Sequence, residues 1–314
     1  MKLATCLYNN RQQIAMVDSR WDQPGCGNVL LLSKPDSGLQ LWNDQITTLQ
    51  QVIEQVDAVL PVIENIRREA SQADWLALNE VTLCAPIPVP KRNIICLGWN
   101  YAEHAEESST ATGIPLEALP TFPIVFTKAT TTVNGPFDNI PYDERVSKRL
   151  DWEVELGVII GKSGRHIAES QALEHVFGYT VINDVSARDL QKRHKQFFMG
   201  KSVDGTCPMG PWVVTADEIE NVQSLPLCCK VNGIVKQQAG THQQIFSVAN
   251  IISALSQVMT LVPGDIIATG TPSGVGFART PPEYLLPGDV VECSVEHVGT
   301  IVNTIKQCVS DDGL

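Results

Sequence analysis

The sequence predicts an α+β fold that is mostly β, and three observations indicate this class. Short β-branched runs bounded by glycine, proline, asparagine or aspartate recur beyond residue 90. Helical periodicity is confined to a few segments, and there is neither a regular βαβ alternation nor an internal repeat. The 314 residues, 43% of them hydrophobic and 18% charged, can form a sizeable core. A doubly wound nucleotide-binding fold is therefore not expected.

The N-terminal part of the chain predicts a small α+β unit. Three strand-like segments come first, Lys2 to Tyr8, Gln13 to Asp18 and Val29 to Leu32. In the following stretch, DQITTLQQVIEQVDAVL from Asp44 to Leu60, apolar side chains keep the helical period. One face of this helix should pack on the strands.

A proline-rich connector separates this unit from the rest of the chain. The segment CAPIPVPKRN, residues 84 to 93, cannot be helical because proline lacks an amide hydrogen and restricts the residue before it. We therefore predict a small N-terminal domain over residues 1–85 and a larger domain, with the candidate site residues, over residues 86–314.

In the larger domain strand signals outnumber helix signals. The predicted strands are RNIICLGW, PIVFTK, WEVELGVIIG, GYTVIND, GPWVVT and LCCKVNGIVK, and two Pro-Gly-Asp turns precede further strands in PGDIIATG and PGDVVECSV. The predicted helices are SARDLQKRH and FSVANIISALSQVMTLV. Sheet should dominate this domain.

Charge and cysteine usage narrow the function classes. A net charge of −12 and an isoelectric point near 4.9 argue against nucleic acid or anionic membrane as a partner, because either needs a basic surface. A small anionic substrate would need local cations or a metal ion. The nine scattered cysteines predict reduced thiols. The N-terminus has no secretory pattern, and no apolar run is long enough to span a membrane, so we expect a cytoplasmic protein.

Two carboxylates lie on one face of an apolar strand in DWEVELGVIIGK. Glu153 and Glu155 are two apart, so their side chains emerge together and need a cation nearby. The alternative is an edge strand with one wet face. Asp184 ends the strand GYTVIND, whereas Asp189 would form a capping box with Ser186. Three such carboxylates suit Mg²⁺ first, then Mn²⁺ or Ca²⁺.

A possible acid–base pair lies in GWNYAEHAEE. Asn100 can cap a short helix on which His104 and Glu107 share one face, so that the carboxylate orients the imidazole. The alternative is an exposed polar helix. The following SSTATGIP has the composition of a lid hinge.

Two glycine-flanked segments are further candidates. Lys201 in FFMGKSVDG could stabilise an enolate or oxyanion, although a solvated loop lysine is the commoner meaning of this pattern. The run ATGTPSGVGF, residues 268 to 277, could bind a small anion through its amide groups.

The ordered motifs GWNYAEH, DWEVELGVIIGK, INDVSARDLQ, GKSVDGTCPMGPWVV, VNGIVKQ and PGDIIATGTPSGVG resemble the fumarylacetoacetate hydrolase family between about Arg92 and Cys308. The resemblance implies a rolled, mostly β sheet, a homodimer and a bound Mg²⁺ or Mn²⁺. The metal ligands that it implies are Glu153, Glu155 and Asp184. The catalytic residues that it implies are His104 and Glu107 on a closing lid, and Lys201. The positions that it assigns to substrate contact are Arg188, Gln191 and Thr271.

One departure from the family pattern narrows the expected activity. The name-giving hydrolase carries an additional aspartate before the lid histidine, whereas residues 97 to 100 here, LGWN, offer no carboxylate. The chain therefore resembles the acylpyruvase and oxaloacetate decarboxylase branch. Our first hypothesis is hydrolysis of a C–C bond in a 2,4-diketo acid, in which His104 activates water and the metal and Lys201 stabilise a pyruvate enolate.

Other reactions use the same enolate and remain open at this stage. They are decarboxylation of oxaloacetate, isomerisation of a 2-hydroxydienoic acid and hydration of a dienoate. A metal-binding protein without catalysis is the alternative from a different class, and the intact set of His104, Glu107 and Lys201 speaks against it.

Overall fold

The computed structural model describes residues 1–32, 46–113, 115–116 and 118–308. Its strands are β1 Lys2–Tyr8, β2 Arg11–Asp18, β3 Asn28–Leu31, β4 Trp75–Ala77, β5 Thr82–Leu83, β6 Ile94–Gly98, β7 Ile124–Lys128, β8 Val133–Asn134, β9 Ile140–Tyr142, β10 Leu150–Asp151, β11 Val154–Ile160, β12 Val176–Asn183, β13 Ser186–Ala187, β14 Cys207–Thr215, β15 Pro226–Val231, β16 Ile234–Gly240, β17 Ile266–Ala268, β18 Val290–Val295 and β19 Gly299–Gln307. The predicted α+β, mostly β class is confirmed.

The α-helices of the described residues are few and short. They are α1 Leu49–Glu54, α2 Val56–Glu69, α3 Ala102–Thr112, α4 Arg188–His194, α5 Phe198–Lys201 and α6 Val248–Val258. Single 3₁₀ segments lie at Gln72–Asp74, Leu78–Glu80, Thr130–Thr132, Glu169–His175, Ala216–Glu218, Val222–Ser224, Thr241–Gln243 and Gly276–Ala278. None of the helices in this part of the chain combines the length and the hydropathy that a membrane crossing requires.

The predicted N-terminal helix is divided in two. It begins later than expected because Thr48 caps α1: its Oγ1 accepts a hydrogen bond from the Gln51 amide at 3.3 Å, and the Gln51 side chain accepts one from the Thr48 amide at 3.1 Å. The helix is interrupted at Gln55, and α2 then continues to Glu69. Asp44 and Gln45, at the start of the predicted helix, lie outside the described residues.

A large sheet, a smaller second sheet and a two-stranded sheet form the β structure of the described residues. The large sheet has the strand order β4-β3-β2-β1-β14-β12-β11-β17-β6-β7, with β5 paired to β1 and β8 paired to β14. The second sheet has the order β16-β15-β18-β19-β9, and β10 pairs with β13 alone. The N-terminal strands thus join the large sheet through the antiparallel pair β1 and β14. The division into domains at residue 85 stays a prediction.

Each face of the large sheet has its own apolar core, and β11 contributes to both. Val158 packs in the cluster that includes Ile301 of the second sheet, whereas its neighbour Ile159 packs in the cluster that includes Val52 of α1. β11 is therefore an interior strand buried on both faces, which explains its almost continuous apolar sequence. All nine cysteines are free thiols, as the sequence predicts.

Candidate active site

Two central strands deliver the three predicted carboxylates to one point. Glu155 lies within β11, Glu153 directly precedes this strand, and Asp184 directly follows β12. The Asp184 amide donates to the Glu153 carbonyl at 2.9 Å, which keeps the two strand ends together. Each side chain is buried and offers an oxygen within 4.8 Å of the others. Because β11 lies between β12 and β17, the edge-strand alternative is wrong.

This carboxylate cluster has the chemistry of a divalent metal site. Its donors are all oxygens and they converge in a buried position, which suits a hard cation such as Mg²⁺ or Mn²⁺. Three anions so close together also repel one another strongly unless cations offset them. The residues present therefore fit a bound divalent ion.

Two buried lysines offset part of this negative charge. The Lys201 Nζ lies 2.6 Å from Glu153 Oε2 and 2.7 Å from Asp184 Oδ2, so it bridges two of the three carboxylates. Lys128 was missed in the sequence, yet it is completely buried and its Nζ lies 2.8 Å from Asp184 Oδ1. The only sequence signal for Lys128 is a lysine at the end of an apolar strand. Lys201 is no solvated loop residue.

Arg188 and Gln191 both lie on α4 and contact each other. Arg188 Nη1 donates to Gln191 Oε1 at 3.1 Å, and its Nη2 lies 2.6 Å from Glu153 Oε1. The Arg188 Nε donates at 2.8 Å to Asp151, a buried carboxylate that the sequence did not single out. The arginine is thus fixed between two acids beside the carboxylate cluster.

The predicted capping box at the start of α4 is wrong. The helix begins at Arg188 and has no side-chain hydrogen bond at its N-cap residue, Ala187. Ser186 lies in β13 and its Oγ donates to Glu153 Oε1 at 3.1 Å, while Asp189 accepts a hydrogen bond from Ser147. Pairing of β10 with β13 places Ser186 too early for a cap and turns it toward the site.

The predicted histidine–glutamate pair forms on α3. His104 Nδ1 lies 2.8 Å from Glu107 Oε1, and His104 is only 6% exposed, so the alternative of an exposed polar helix is wrong for this face. Asn100 does not cap the helix; its side chain instead bonds the backbone of Phe246 and Thr269. Residues 108 to 112 of the hinge-like stretch are helical, and α3 ends at Gly113 with φ +69°.

The glycine-rich segment 268–277 does bind anions, but they are carboxylates of the same chain. The Gly270 amide donates to Glu155 Oε2 at 2.7 Å, and the Gly274 amide donates to Glu107 Oε2 at 2.9 Å. Thr271 is buried, and its Oγ1 donates to the Val154 carbonyl at 3.0 Å. The segment thus connects the strand that carries Glu155 with the helix that carries His104.

The neighbouring charges separate the pKa values of the two glutamates, because both side chains are buried but only Glu153 is paired with Lys201 and Arg188. Burial above all, and then Asp184 and Glu153, raise the pKa of Glu155 well above its ordinary value. Burial also opposes the charged form of Glu153, yet Lys201 and Arg188 outweigh it and lower the pKa of Glu153 to about 2. Of these two glutamates, Glu155 is the one whose protonated form is favoured by burial and by its anionic neighbours.

The charges of the site favour an anionic ligand once a metal ion is bound. Its carboxylates and cations are all at least nine-tenths buried. They are Asp151, Glu153, Glu155 and Asp184 against Lys128, Lys201 and Arg188. When all four carboxylates are ionised, four negative and three positive charges leave one negative charge, and a divalent ion would turn this into one positive charge.

The fold and the site together define a mixed, mostly β protein with a buried three-carboxylate centre beside a histidine–glutamate pair. A sequence model described as fumarylacetoacetate (FAA) hydrolase C-terminal matches residues 93–306. The chain belongs to the fumarylacetoacetate hydrolase family, as its motifs predict.

Proteins similar to this chain are named for different reactions. Oxaloacetate tautomerase YisK of Bacillus subtilis (strain 168) is 50% identical over 229 residues, which cover 73% of this chain and 74% of that protein. The structure of a fumarylacetoacetate hydrolase from psychrophilic Exiguobacterium antarcticum has a TM-score of 0.80 at 37% identity and covers 98% of this chain and 100% of that chain. Maleylpyruvate hydrolase from Sphingobium sp. SYK-6, in complex with manganese(II) and pyruvate, has a TM-score of 0.75 at 26% identity, with 98% and 100% covered.

Proposed function

We propose that this protein is a divalent-metal-dependent enzyme that interconverts the enol and keto forms of oxaloacetate or a similar 2-keto dicarboxylate. The observation that carries the proposal is the buried lysine, Lys201, which bridges Glu153 and Asp184 of a three-carboxylate cluster. The similarity to an oxaloacetate tautomerase over almost three quarters of both chains supports this substrate class. Hydrolysis of a 2,4-diketo acid, our first hypothesis from the sequence, becomes the second candidate.

Glu153, Glu155 and Asp184 would hold the metal ion. A bound Mg²⁺ or Mn²⁺ would supply a Lewis acid that stabilises negative charge on the 2-oxygen of a keto acid. Lys201 adds a fixed positive charge at the same place: burial disfavours its charged form, but Asp184 and Glu153 outweigh burial and raise its pKa above the ordinary value. Lys201 therefore acts as an electrostatic stabiliser rather than as a base.

His104 is the group that exchanges the proton at carbon 3. Glu107 holds its Nδ1, which leaves Nε2 to accept the proton when the C3–H bond breaks and the electron pair forms the C2–C3 double bond. At the same time the C2=O π electrons move onto the 2-oxygen, which takes a proton from solvent to give the enol. In the reverse direction the enol O–H proton is released to solvent and His104 returns its proton to carbon 3, which regenerates the ketone. Arg188, Gln191 and Thr271 would orient the carboxylates of the substrate.

Hydrolysis of an acylpyruvate is supported by the same histidine. An imidazole held by a carboxylate can activate water for attack on the distal carbonyl, and the neighbour crystallised with manganese(II) and pyruvate is named as a hydrolase. Decarboxylation of oxaloacetate would use Lys201 and the metal without His104 acting on water. As the family resemblance implies, we also propose a homodimer.

One assay separates these reactions. Ultraviolet absorbance of the enol form of oxaloacetate, and of acetylpyruvate and fumarylpyruvate, is followed with Mg²⁺ or Mn²⁺ and then with chelator, while pyruvate is measured in each sample. Faster enol decay without pyruvate supports tautomerisation, and pyruvate from oxaloacetate indicates decarboxylation. Pyruvate from an acylpyruvate indicates hydrolysis. Activity that persists in chelator would contradict all three.

A further inference from the structure

A fourth carboxylate lies close to the metal-binding cluster but does not belong to it. Asp151 precedes Glu153 by two residues, so it continues the alternation of acids in DWEVE. It lies in β10 and is completely buried, yet it is absent from the group of converging ligand oxygens. Its oxygens are therefore turned to other partners.

Those partners are four hydrogen-bond donors of the chain itself. Asp151 Oδ1 accepts from the amides of Gly276 at 2.7 Å and Trp152 at 2.9 Å, and Oδ2 accepts from Arg188 Nε at 2.8 Å and the Phe277 amide at 3.0 Å. Four donors saturate one carboxylate. No lone pair remains for a metal ion or a substrate, so the carboxylate can act only through the groups that it holds.

Arg188 is held between Asp151 and the loop that binds Asp151. The Phe277 ring covers the guanidinium, with 4.5 Å between the ring centroid and Cζ. A Cβ atom at Gly276 would lie 2.7 Å from Asp151 Oδ1, so only glycine permits this close approach. The direction of Arg188 toward the site is thus set by Asp151 on one side and by Phe277 on the other.

The same loop also fixes the acid–base pair. The Gly274 amide donates to Glu107 Oε2 at 2.9 Å, and Glu107 in turn holds His104. Gly274 is only two positions before Gly276, whose amide donates to Asp151. A short loop therefore connects Arg188 with His104.

We propose that Asp151 is a positioning residue that fixes Arg188 and the loop 274–277, and so sets the binding of the substrate carboxylate relative to His104. The proposal rests on the proposed function, in which Arg188 contacts a carboxylate of the substrate. Because Arg188 also lies 2.6 Å from Glu153 Oε1, loss of Asp151 leaves Glu153 as the one acid, among the residues that the structure describes, that pairs with this arginine. The arginine then competes with the metal ion for that carboxylate.

The test uses Asp151→Asn, which keeps the size of the side chain but replaces one acceptor oxygen by a donor. The amide nitrogen of the new side chain would lie opposite N–H donors, either those of Arg188 or those of the backbone amides. Two donors cannot form a hydrogen bond with each other, so Arg188 or the loop must move. Kinetic constants and the Mn²⁺ dissociation constant are measured for this variant, for Arg188→Met and for the double variant. Asp143→Asn, on a surface aspartate that pairs with Arg145, is the matched control.

For Asp151→Asn we expect KM to rise and Mn²⁺ affinity to fall, each by roughly tenfold, with kcat within about threefold. In the Arg188→Met background the same change should raise KM by less than about twofold, because the part of its effect that appears in KM passes through the arginine. Asp143→Asn should behave like the natural protein. A tenfold KM effect that persists without Arg188, or natural KM and Mn²⁺ affinity in folded Asp151→Asn, would overturn the proposal.

A second variant and a binding measurement test the proposal even if Asp151→Asn does not fold or the natural protein shows no turnover. Phe277→Leu leaves Asp151 in place but removes the ring from Arg188, so KM should rise by about threefold with kcat unchanged even if Asp151→Asn fails to fold; an unchanged KM would count against the proposal. Mn²⁺ binding needs no substrate. It therefore reports on Asp151 and Arg188 even if the natural protein turns over none of the keto acids, a result that would contradict the proposed function alone.

Discussion

The centre of the large sheet and the outer surface of the molecule hold ion pairs of almost the same length with different consequences. At the centre, Asp184 lies 2.8 Å from Lys128 and 2.7 Å from Lys201, and all three side chains are at least 97% buried. At the surface, Lys148 lies 2.9 Å from Glu144, and both side chains are more than half exposed.

The difference shows that burial, rather than the distance between the charges, decides how much an ion pair contributes to the stability of this protein. Water and salt screen the surface pair, so either partner can be lost with little effect. The central charges are not hydrated, and each is stabilised only by the opposite charges beside it. Removal of one therefore leaves an unpaired buried charge, which lowers the free energy of unfolding. Because separation of these charges would be so unfavourable, Lys201 stays beside the carboxylates, where negative charge would develop on the substrate.

The largest expected effect comes from removing one charge of the central cluster. Glu155→Gln should abolish Mn²⁺ binding and lower turnover of the keto acid by at least about a thousandfold, since the metal would contribute several kcal/mol to the reaction. The thermal midpoint in chelator should not fall, because glutamine resembles the protonated acid that burial favours. Asp184→Asn is the comparison: turnover is lost as well, but the midpoint falls because Lys128 and Lys201 lose their shared anion. Natural Mn²⁺ affinity in Glu155→Gln would remove this residue from the metal site.

The second prediction compares the stability lost when a buried lysine or an exposed lysine is replaced by methionine. Lys128→Met removes a completely buried cation, so we expect the free energy of unfolding in chelator to fall by about 3 kcal/mol. Lys148→Met removes the exposed partner of Glu144 and should leave the denaturation curve unchanged. Urea titrations of both variants provide the measurement. If both variants had the same free energy of unfolding, the buried pair of Lys128 and Asp184 would contribute no more to stability than the exposed pair of Lys148 and Glu144.

The third prediction separates proton transfer from metal binding within the site. His104→Ala should lower turnover by roughly a hundredfold and leave the Mn²⁺ dissociation constant unchanged, because the imidazole acts on the substrate and not on the metal. Glu106→Ala, on the exposed side of the same helix, serves as the control and should retain the natural rate. If His104→Ala turns over the keto acid at the natural rate, the acid–base assignment is wrong.

The smallest effect concerns pH. In the metal-free protein the raised pKa of Glu155 means that the folded state holds its proton more tightly than the unfolded chain does. This contribution to stability is complete below the ordinary pKa of 4.5 and declines as pH rises toward the raised value, by at most about 1.4 kcal/mol per pH unit.

Mn²⁺ takes the place of that proton, so its stabilising effect on the thermal midpoint should grow with pH above 4.5 in the natural protein. Glu153 has its pKa lowered to about 2 and stays ionised throughout this range, so it adds no slope. Thermal scans with Mn²⁺ and with chelator at several pH values give the result. A metal-induced gain that is independent of pH would show that Glu155 is already ionised in the metal-free protein.

Features that depend on local geometry follow from the amino-acid sequence alone. Side chains two apart on a strand share a face, so the spacing of Glu153 and Glu155 is enough to pair them. Side chains three apart on a helix are neighbours, which equally predicts the contact of His104 with Glu107. The ordered motifs add the family, and with it the fold class and the addition of Asp184 and Lys201 to the site.

The charges that balance this cluster, and the directions of the amides in the glycine-rich loop, follow only from the packing of distant segments. Lys128 and Asp184 are 56 positions apart, and Asp151 binds an amide 125 positions away, so no periodicity connects them. Whether a lysine or an aspartate is buried depends on which strands surround it. The energetic role of a charge follows from that burial and from its partners, and a linear pattern contains neither.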